Sequence, residues 1–259
     1  MVVSNYAQYE AVLEDGRIRR VYFDLQYFKK EEILDYINTH SDYDNYIVLP
    51  AIMRKKSLEE MNEIIEDVLS NHLSQIGFVV RNIDELAYLK GIGYTGPIIA
   101  DESLYVMNKV ALQFIRNVFP QIEITAPVEI NKKQLKELLS VCNSEIKVYG
   151  YQQLMVSAQC LQNTTRQCNH LNSKITLLDR YQKHFYVACI CKYCYNLIYN
   201  GVPTILYDLV DKEFGNMVRY RLHFTRESKE ETRQLIHQFY EKEVSVLDKT
   251  RGHYNRGVE

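Results

Sequence analysis

The stretch "NYIVLPAI" at 45–52, followed by "SLEEMNEIIEDVLSN" at 57–71 and "QIGFVVRN" at 75–82, decides the fold of this chain. The first and last segments are short runs rich in β-branched and aromatic residues and read as strands. In the middle one Leu58, Met61, Ile65 and Val68 recur every three or four residues, which puts them on one helix face against a sheet. Strand, helix, strand in this order implies a parallel pair joined by a right-handed crossover.

The same unit repeats on both sides. "RRVYFDL" (19–25) precedes "KKEEILDYINTH" (29–40), with Ile33 and Ile37 on its apolar face; "GPIIADESLYVMN" (96–108) precedes "KVALQFIRNVF" (109–119). "QIEITAPVEI" (121–130) precedes "KKQLKELLSVCN" (132–143), and "EIKVYGYQQLMVSA" (145–158) follows. With "MVVSN" at the front and "MVRYRLHFT" plus "SKEETRQLIHQFYEKEV" at the back, the count comes to about eight units, as in a (β/α)8 TIM-like barrel of irregular build. An open doubly wound sheet is the alternative. No Pro/Gly/Ser-rich linker divides the chain, so 1–259 reads as a single barrel domain.

The alternation fails from Ser157 to about Asp211. Here "KITLLDR" (174–180) and "KHFYVACI" (183–190) read as a hairpin, an insertion after the seventh strand. That end of a barrel is its C-terminal face, where active sites are built. Five of the six cysteines fall in this insertion: Cys160, Cys168, Cys189, Cys191 and Cys194. Cys142, at the end of an amphipathic helix, reads as packing.

Composition excludes several classes. The chain is 46% hydrophobic and 25% charged, which suits an ordinary globular protein. No apolar run approaches the roughly 20 residues of a membrane span, and the start lacks the order of a signal peptide. A cytoplasmic protein with no membrane partner is expected. In a reducing compartment clustered cysteines suit metal or redox chemistry better than structural disulfides. The formal net charge of −2 gives no global attraction to phosphate, so DNA is not expected and RNA would need a local patch.

Cys191 and Cys194 form a CxxC pair, a spacing that lets two sulfurs in one turn reach one metal centre, and Cys160 and Cys168 supply two more thiols on a polar loop. Four thiolates close either a zinc site or an iron–sulfur cluster, and spacing alone does not separate the two. Cys189 competes for one ligand position. Elsewhere, Asp101, Glu102 and Asn108 surround one strand end and Glu129 follows the next. Such residues bind substrate or exchange protons, and the same types also serve as helix caps. Arg166, His170, Arg180, Lys183, His184 and Lys192 make the insertion basic, interleaved with Tyr181, Phe185, Tyr186, Tyr193 and Tyr195. Cations with aromatic rings suit RNA, and β-sheet aromatics on a solvated hairpin give the same pattern. Arg166, Arg180, Lys192 and Tyr195 are the candidate substrate-binding residues. Arg251, His253 and Arg256 of "TRGHYNRG" form either an RNA-contacting tail or a loose end.

"VYGYQQLMVSAQC" (148–160) resembles the signature strand of the peptidase U32 family, in which Val-Phe/Tyr-Gly leads into Leu-Met-Val and a cysteine. "ADESLYVMN" (100–108) and "TAPVEINKKQLKEL" (125–138) are similar to two further motifs of that family. "CKYCYNLIYNGVP" (191–203) and "TRGHYNRGVE" (250–259) look like the late motifs of its longer members. Departures from the pattern are Tyr105, Tyr151, Gln153, Ala158 and Gln159.

The resemblance implies a barrel carrying a 4Fe-4S cluster on Cys160, Cys168, Cys191 and Cys194. It also implies oxygen-independent hydroxylation of an RNA pyrimidine, of the ribosomal-RNA cytidine type, with prephenate as oxygen donor. From their places at strand ends, rather than from the resemblance, Asp101, Glu129 and Asn108 are the candidate catalytic residues. Another U32 chain or a further amino-terminal region would be a partner. Other members of the family act in quinone synthesis or are described as collagenases. Neither an HExxH helix nor a GxSxG elbow occurs here, so a peptidase mechanism has no residues to rest on. A binding module without catalysis, stapled by zinc or a cluster, is the third reading.

Overall fold

Among the residues described by the computed structural model (1–71, 73, 75–142, 144–165, 167–171, 173–214, 218–245 and 248–256), eight parallel strands close into a barrel. They are β1 (Val2–Val3), β2 (Arg20–Asp24), β3 (Asp44–Val48), β4 (Gly77–Val80), β5 (Ile98–Ala100), β6 (Glu123–Thr125), the first half of β7 (Ser144–Ser157) and β11 (Arg219–His223). Closure comes from β11, which pairs in parallel with β7 on one side and β1 on the other. An open sheet would leave those edges free, so the doubly wound alternative is excluded.

Helices α1 (Tyr6–Leu13), α2 (Lys30–Thr39), α3 (Lys55–Ser70), α4 (Ile83–Gly91), α5 (Lys109–Val118), α6 (Lys132–Leu139), α8 (Tyr207–Phe214) and α9 (Lys229–Glu241) alternate with the strands. Their starts are set locally. Asn5, Asn82, Asn131 and Ser228 each accept a backbone N–H of the first turn, satisfying donors that have no partner inside the helix. Met61, Ile65 and Val68 of α3 are fully buried, and Leu58 packs against the same core half-buried.

Along each strand the side chains alternate between two environments. Val3, Phe23, Ile47, Phe78 and Ile98 join the large core shared with the helices, whereas their neighbours Val2, Tyr22, Val48, Val79 and Ile99 form a separate cluster inside the barrel. This is the two-residue period of a strand covered on both faces. Above that apolar layer the lumen is ionic. Glu145 receives hydrogen bonds from the Tyr22 hydroxyl at 2.5 Å and the Thr125 hydroxyl at 2.7 Å and pairs with Arg221. Arg221 also bonds Asp101 at 2.6 Å. Buried charges persist in such places only when paired and hydrogen-bonded.

The insertion adds an antiparallel sheet to the barrel wall. Strand β7 overruns its barrel neighbour: β6 covers Ser144 and Glu145, whereas β10 (Tyr195–Ile205) covers Tyr149 to Ser157. Strand β9 (His184–Ile190) pairs with β10, and β8 (Ser173–Leu178) pairs with β9 at the edge. The expected hairpin is therefore the outer part of a three-stranded addition, and "YNLIYNGVPTI" is the strand that joins it to the barrel. Gly150 lies where β7 leaves the wall, at φ 152°, and a Cβ there would come within 2.9 Å of the His223 carbonyl oxygen. Only glycine allows that approach without displacing β11.

Glu85, in the first turn of α4, accepts the Arg81 backbone N–H at 2.6 Å and is fully buried. Burial pushes its carboxyl up to about 8, against the opposing effect of the Arg81 N–H. The folded protein thus holds a proton that the unfolded chain releases above its ordinary carboxyl range. Native stability contributed by this group is therefore lost as pH rises from about 4.5 to about 8. Glu85→Gln removes that slope. In urea unfolding at pH 5, 7 and 9, the variant should match the wild type at pH 5 and exceed it by on the order of 3 kcal/mol at pH 9.

Candidate functional site

The C-terminal end of β7 and the β9–β10 turn bring the cysteines together. Cys160, Cys168, Cys191 and Cys194 line one cavity of about 420 Å³ with Asn163, His170, Tyr195 and Asn196. Cys160 precedes the short helix α7 (Leu161–Thr165), where the Asn163 backbone N–H donates to its Sγ at 3.4 Å. The His170 N–H donates to Cys168 Sγ and the Gln162 side-chain amide to Cys191 Sγ, each at 3.4 Å. Burial and the neighbouring thiols Cys168, Cys189 and Cys160 push the Cys191 thiol up to about 11. Cys194 closes the CxxC turn at φ 58°, in the left-handed region that glycine or asparagine occupies at lower cost. Cys189 is buried within β9 and does not line the cavity; burial raises its thiol, which bonds Ser173. Cys142 donates its S–H to the Leu138 carbonyl at 3.3 Å, away from the others.

A second core holds this lobe on the barrel. Tyr186, Ile190, Tyr193, Tyr195, Leu197 and Tyr199 pack together against Tyr27, Ala51 and Ile52 from the loops after β2 and β3. Polar contacts fix the orientation. Lys192 bonds Glu60 and the Phe28 carbonyl, both at 2.9 Å, and the Tyr193 hydroxyl donates to Glu60 at 2.6 Å. Asn196 donates to the Ser157 and Gln159 carbonyls at 3.2 and 2.5 Å, fixing the approach to Cys160.

Beneath the lobe the barrel mouth forms a smaller pocket, about 80 Å³, lined by Arg81, Asp101, Glu102, Glu129, Lys147 and His223 among others. Arg81 bonds Asp24 at 2.8 Å. Burial opposes the charge of Asp101, but Arg221 and Arg81 outweigh it and hold the carboxyl below its ordinary range. Glu129 goes the other way: burial, with Glu102 nearby, raises it. His223 is pushed well below the ordinary histidine range by burial, then by Lys147, Arg81 and Arg221. Lys147 lies between Glu102 and Gln152, 2.7 Å from the latter. A continuous hydrogen-bonded chain connects the two cavities: the Tyr195 hydroxyl donates to Gln26 at 2.5 Å, Gln26 to Asp24 at 3.0 Å, and Arg81 to Asp24.

Cys160, Cys168, Cys191 and Cys194 thus line one cavity, although among the described residues no three His, Cys, Asp or Glu are grouped closely enough to hold a metal ion; Asp101 and Glu129 line the other. The structure does not bring Asn108 to either place: its side chain caps α5, accepting from Val110 and Ala111 at 3.0 Å. Lys192 is committed to Glu60, and Tyr195 is buried with its ring against Tyr193, so neither is an exposed contact for a base. Arg180 is on the exposed β8–β9 turn, its guanidinium 4.7 Å from the Tyr181 ring centroid. Arg166 lies outside the described residues. Arg251 is paired with Asp208 and bonds the Ile205 carbonyl at 2.8 Å, which makes "TRG" a clasp on β10 rather than a loose end.

Arg81, Lys147 and His223 were not expected from the sequence. A signal was available for Arg81, a charge directly after the apolar strand β4; Lys147 and His223 stand in strands that carry other polar residues, Glu145 and Arg221 among them, so the sequence does not set them apart. Comparison with models of known families, with curated proteins and with solved structures finds no match to this chain.

Glu60→Ala removes the acceptor shared by Lys192 and Tyr193. It should cost about 1–3 kcal/mol and raise amide hydrogen exchange across β9 and β10 while barrel strands β2–β5 keep wild-type protection. Equal loss of protection in both regions would show that the lobe and barrel open as one unit.

Proposed function

We propose that the chain is an iron–sulfur enzyme, or enzyme subunit, that holds a 4Fe-4S cluster on Cys160, Cys168, Cys191 and Cys194. Its action would be the oxygen-independent hydroxylation of an RNA pyrimidine, as the U32-like motifs imply. The observation that carries this reading is the convergence of two cysteine pairs, distant in sequence, on one cavity above the barrel mouth. The donor set fits: three sulfurs already accept N–H groups, and such bonds tune cluster potentials. A cysteine in the left-handed position of a tight turn is also better explained by a ligand than by the turn.

Zinc on the same four sulfurs is the alternative occupant, distinguished from a cluster by the iron, sulfide and zinc content of the purified protein. Bound there, the cluster would supply electron transfer to chemistry at the adjoining mouth. Glu129, raised by burial and with Oε2 unpartnered, is the group placed to give or take a proton. Asp101 is committed to Arg221 and Arg81 and acts as a positioning residue for both. Tyr181, 67% exposed, and Arg180 offer a stacking surface with a cation on the rim. Prephenate remains the proposed oxygen donor on the strength of the motifs alone.

Anaerobic purification should yield about four irons and four sulfides per chain with visible cluster absorption, lost in each of Cys160→Ser, Cys168→Ser, Cys191→Ser and Cys194→Ser. Cys189→Ser should retain both. The loaded protein, given RNA and prephenate without oxygen, should convert one pyrimidine C–H to C–OH, read by nucleoside mass spectrometry, with prephenate giving up its hydroxyl oxygen, accepting the two electrons and taking a hydrogen in its place. Absence of iron after reconstitution would overturn the ligand assignment; a cluster without RNA oxidation would overturn the reaction and leave a metal-stapled module.

A further inference from the structure

The barrel-mouth pocket contains four buried polar atoms with no hydrogen-bond partner among the described residues: Arg81 Nη1, His223 Nε2, Glu102 Oε2 and Glu129 Oε2. Unpaired buried groups of this kind are costly, and several in one pocket call for a ligand or water. They also divide by type. Arg81 and His223 lie beside Lys147 and Arg221; these cations are paired with Asp24, Asp101, Glu102 and Glu145, and Arg81 Nη1 and His223 Nε2 are left as donors or acceptors without a partner. Glu102 and Glu129 supply hydrogen-bond acceptors, and Glu102 raises Glu129 by its charge.

From this division we infer that the mouth is a binding site for a small carboxylate whose neighbouring carbon bears a hydroxyl or ammonium group. The carboxylate accepts from Arg81 Nη1, the one nitrogen of that guanidinium paired with neither Asp24 nor Asp101, and lies against His223. The hydroxyl or ammonium group donates to Glu129 and Glu102. Size sets the class. At about 80 Å³ the pocket is smaller than the ~150 Å³ cavity that holds benzene, which limits the enclosed part of the ligand to a handful of non-hydrogen atoms. Burial and the surrounding cations keep His223 neutral, so it contacts the anion as a hydrogen-bonding ring rather than as a charge.

The site does not depend on the cluster. Titration calorimetry on the full chain, with and without iron, would use glycolate and glycine as probes, acetate to remove the donor group, and inorganic phosphate as a different anion. Glycolate or glycine should bind saturably at one per chain, and which of them binds distinguishes the hydroxyl from the ammonium source. Acetate and phosphate should bind at least about tenfold more weakly, and His223→Phe and Glu129→Gln should each weaken the preferred probe by about tenfold or more. Arg81→Met, which also strips Asp24 of its partner, is used only if its unfolding midpoint stays at the wild-type value; His223→Gln replaces His223→Phe on the same criterion. No saturable binding of either probe, equal binding of acetate or phosphate, or unchanged affinity in both variants would overturn the inference. Because binding is read without iron, its failure is distinct from failure of the iron–sulfur reading.

Discussion

The overrun of β7 past β6 is the constraint on which the rest of the molecule depends. A strand that continues beyond its neighbour presents a row of backbone N–H and C=O groups that must be paired. Here β10 takes that edge from Tyr149 to Ser157. The pairing carries β9 and β8 with it, and so fixes the β9–β10 turn that holds Cys191 and Cys194. The same extension delivers Cys160 just past the strand's end. Two cysteine pairs are thereby placed by one piece of backbone pairing, with the glycine at 150 permitting β7 to pass β11 closely enough to leave the wall.

Inside the barrel the ordering agent is charge. Glu145, Arg221, Asp101, Arg81 and Asp24 alternate in sign through the lumen, and each would be prohibitively costly alone at such burial. The network holds the mouth rigid and leaves a few groups deliberately unmatched at its upper end, beside Lys147 and His223. It also reaches outward through Gln26 to Tyr195. Hydrogen bonds thus link the lobe to the mouth, although their chemistries differ: soft thiols above, hard oxygen and nitrogen groups below.

Much of this was legible locally. Helices with Ile33 and Ile37, or Met61, Ile65 and Val68, on one face carry their own periodicity, and strand–helix alternation of that length leaves few topologies. The CxxC pair and the hairpin at 174–190 were legible too, because turn and strand signals are short-range. The tyrosines were not. Tyr186, Tyr193, Tyr195 and Tyr199 look alike in sequence to rings for stacking bases, but only packing decides that they form a second core while Tyr181 stays exposed.

By itself, then, the sequence determined the elements, their order and the parallel crossovers that close a barrel, since these follow from periodicity and chirality over a few residues. It also determined that five cysteines would lie near the C-terminal face. Tertiary structure alone decided that β10 would pair with β7, that Asn108 would cap a helix, that Lys192 would be spent on Glu60, and that Arg81, Lys147 and His223 would meet Asp101 and Glu129. Those outcomes depend on contacts between segments tens of residues apart, where the energy of a buried charge or an unpaired strand edge is settled only once the barrel has closed.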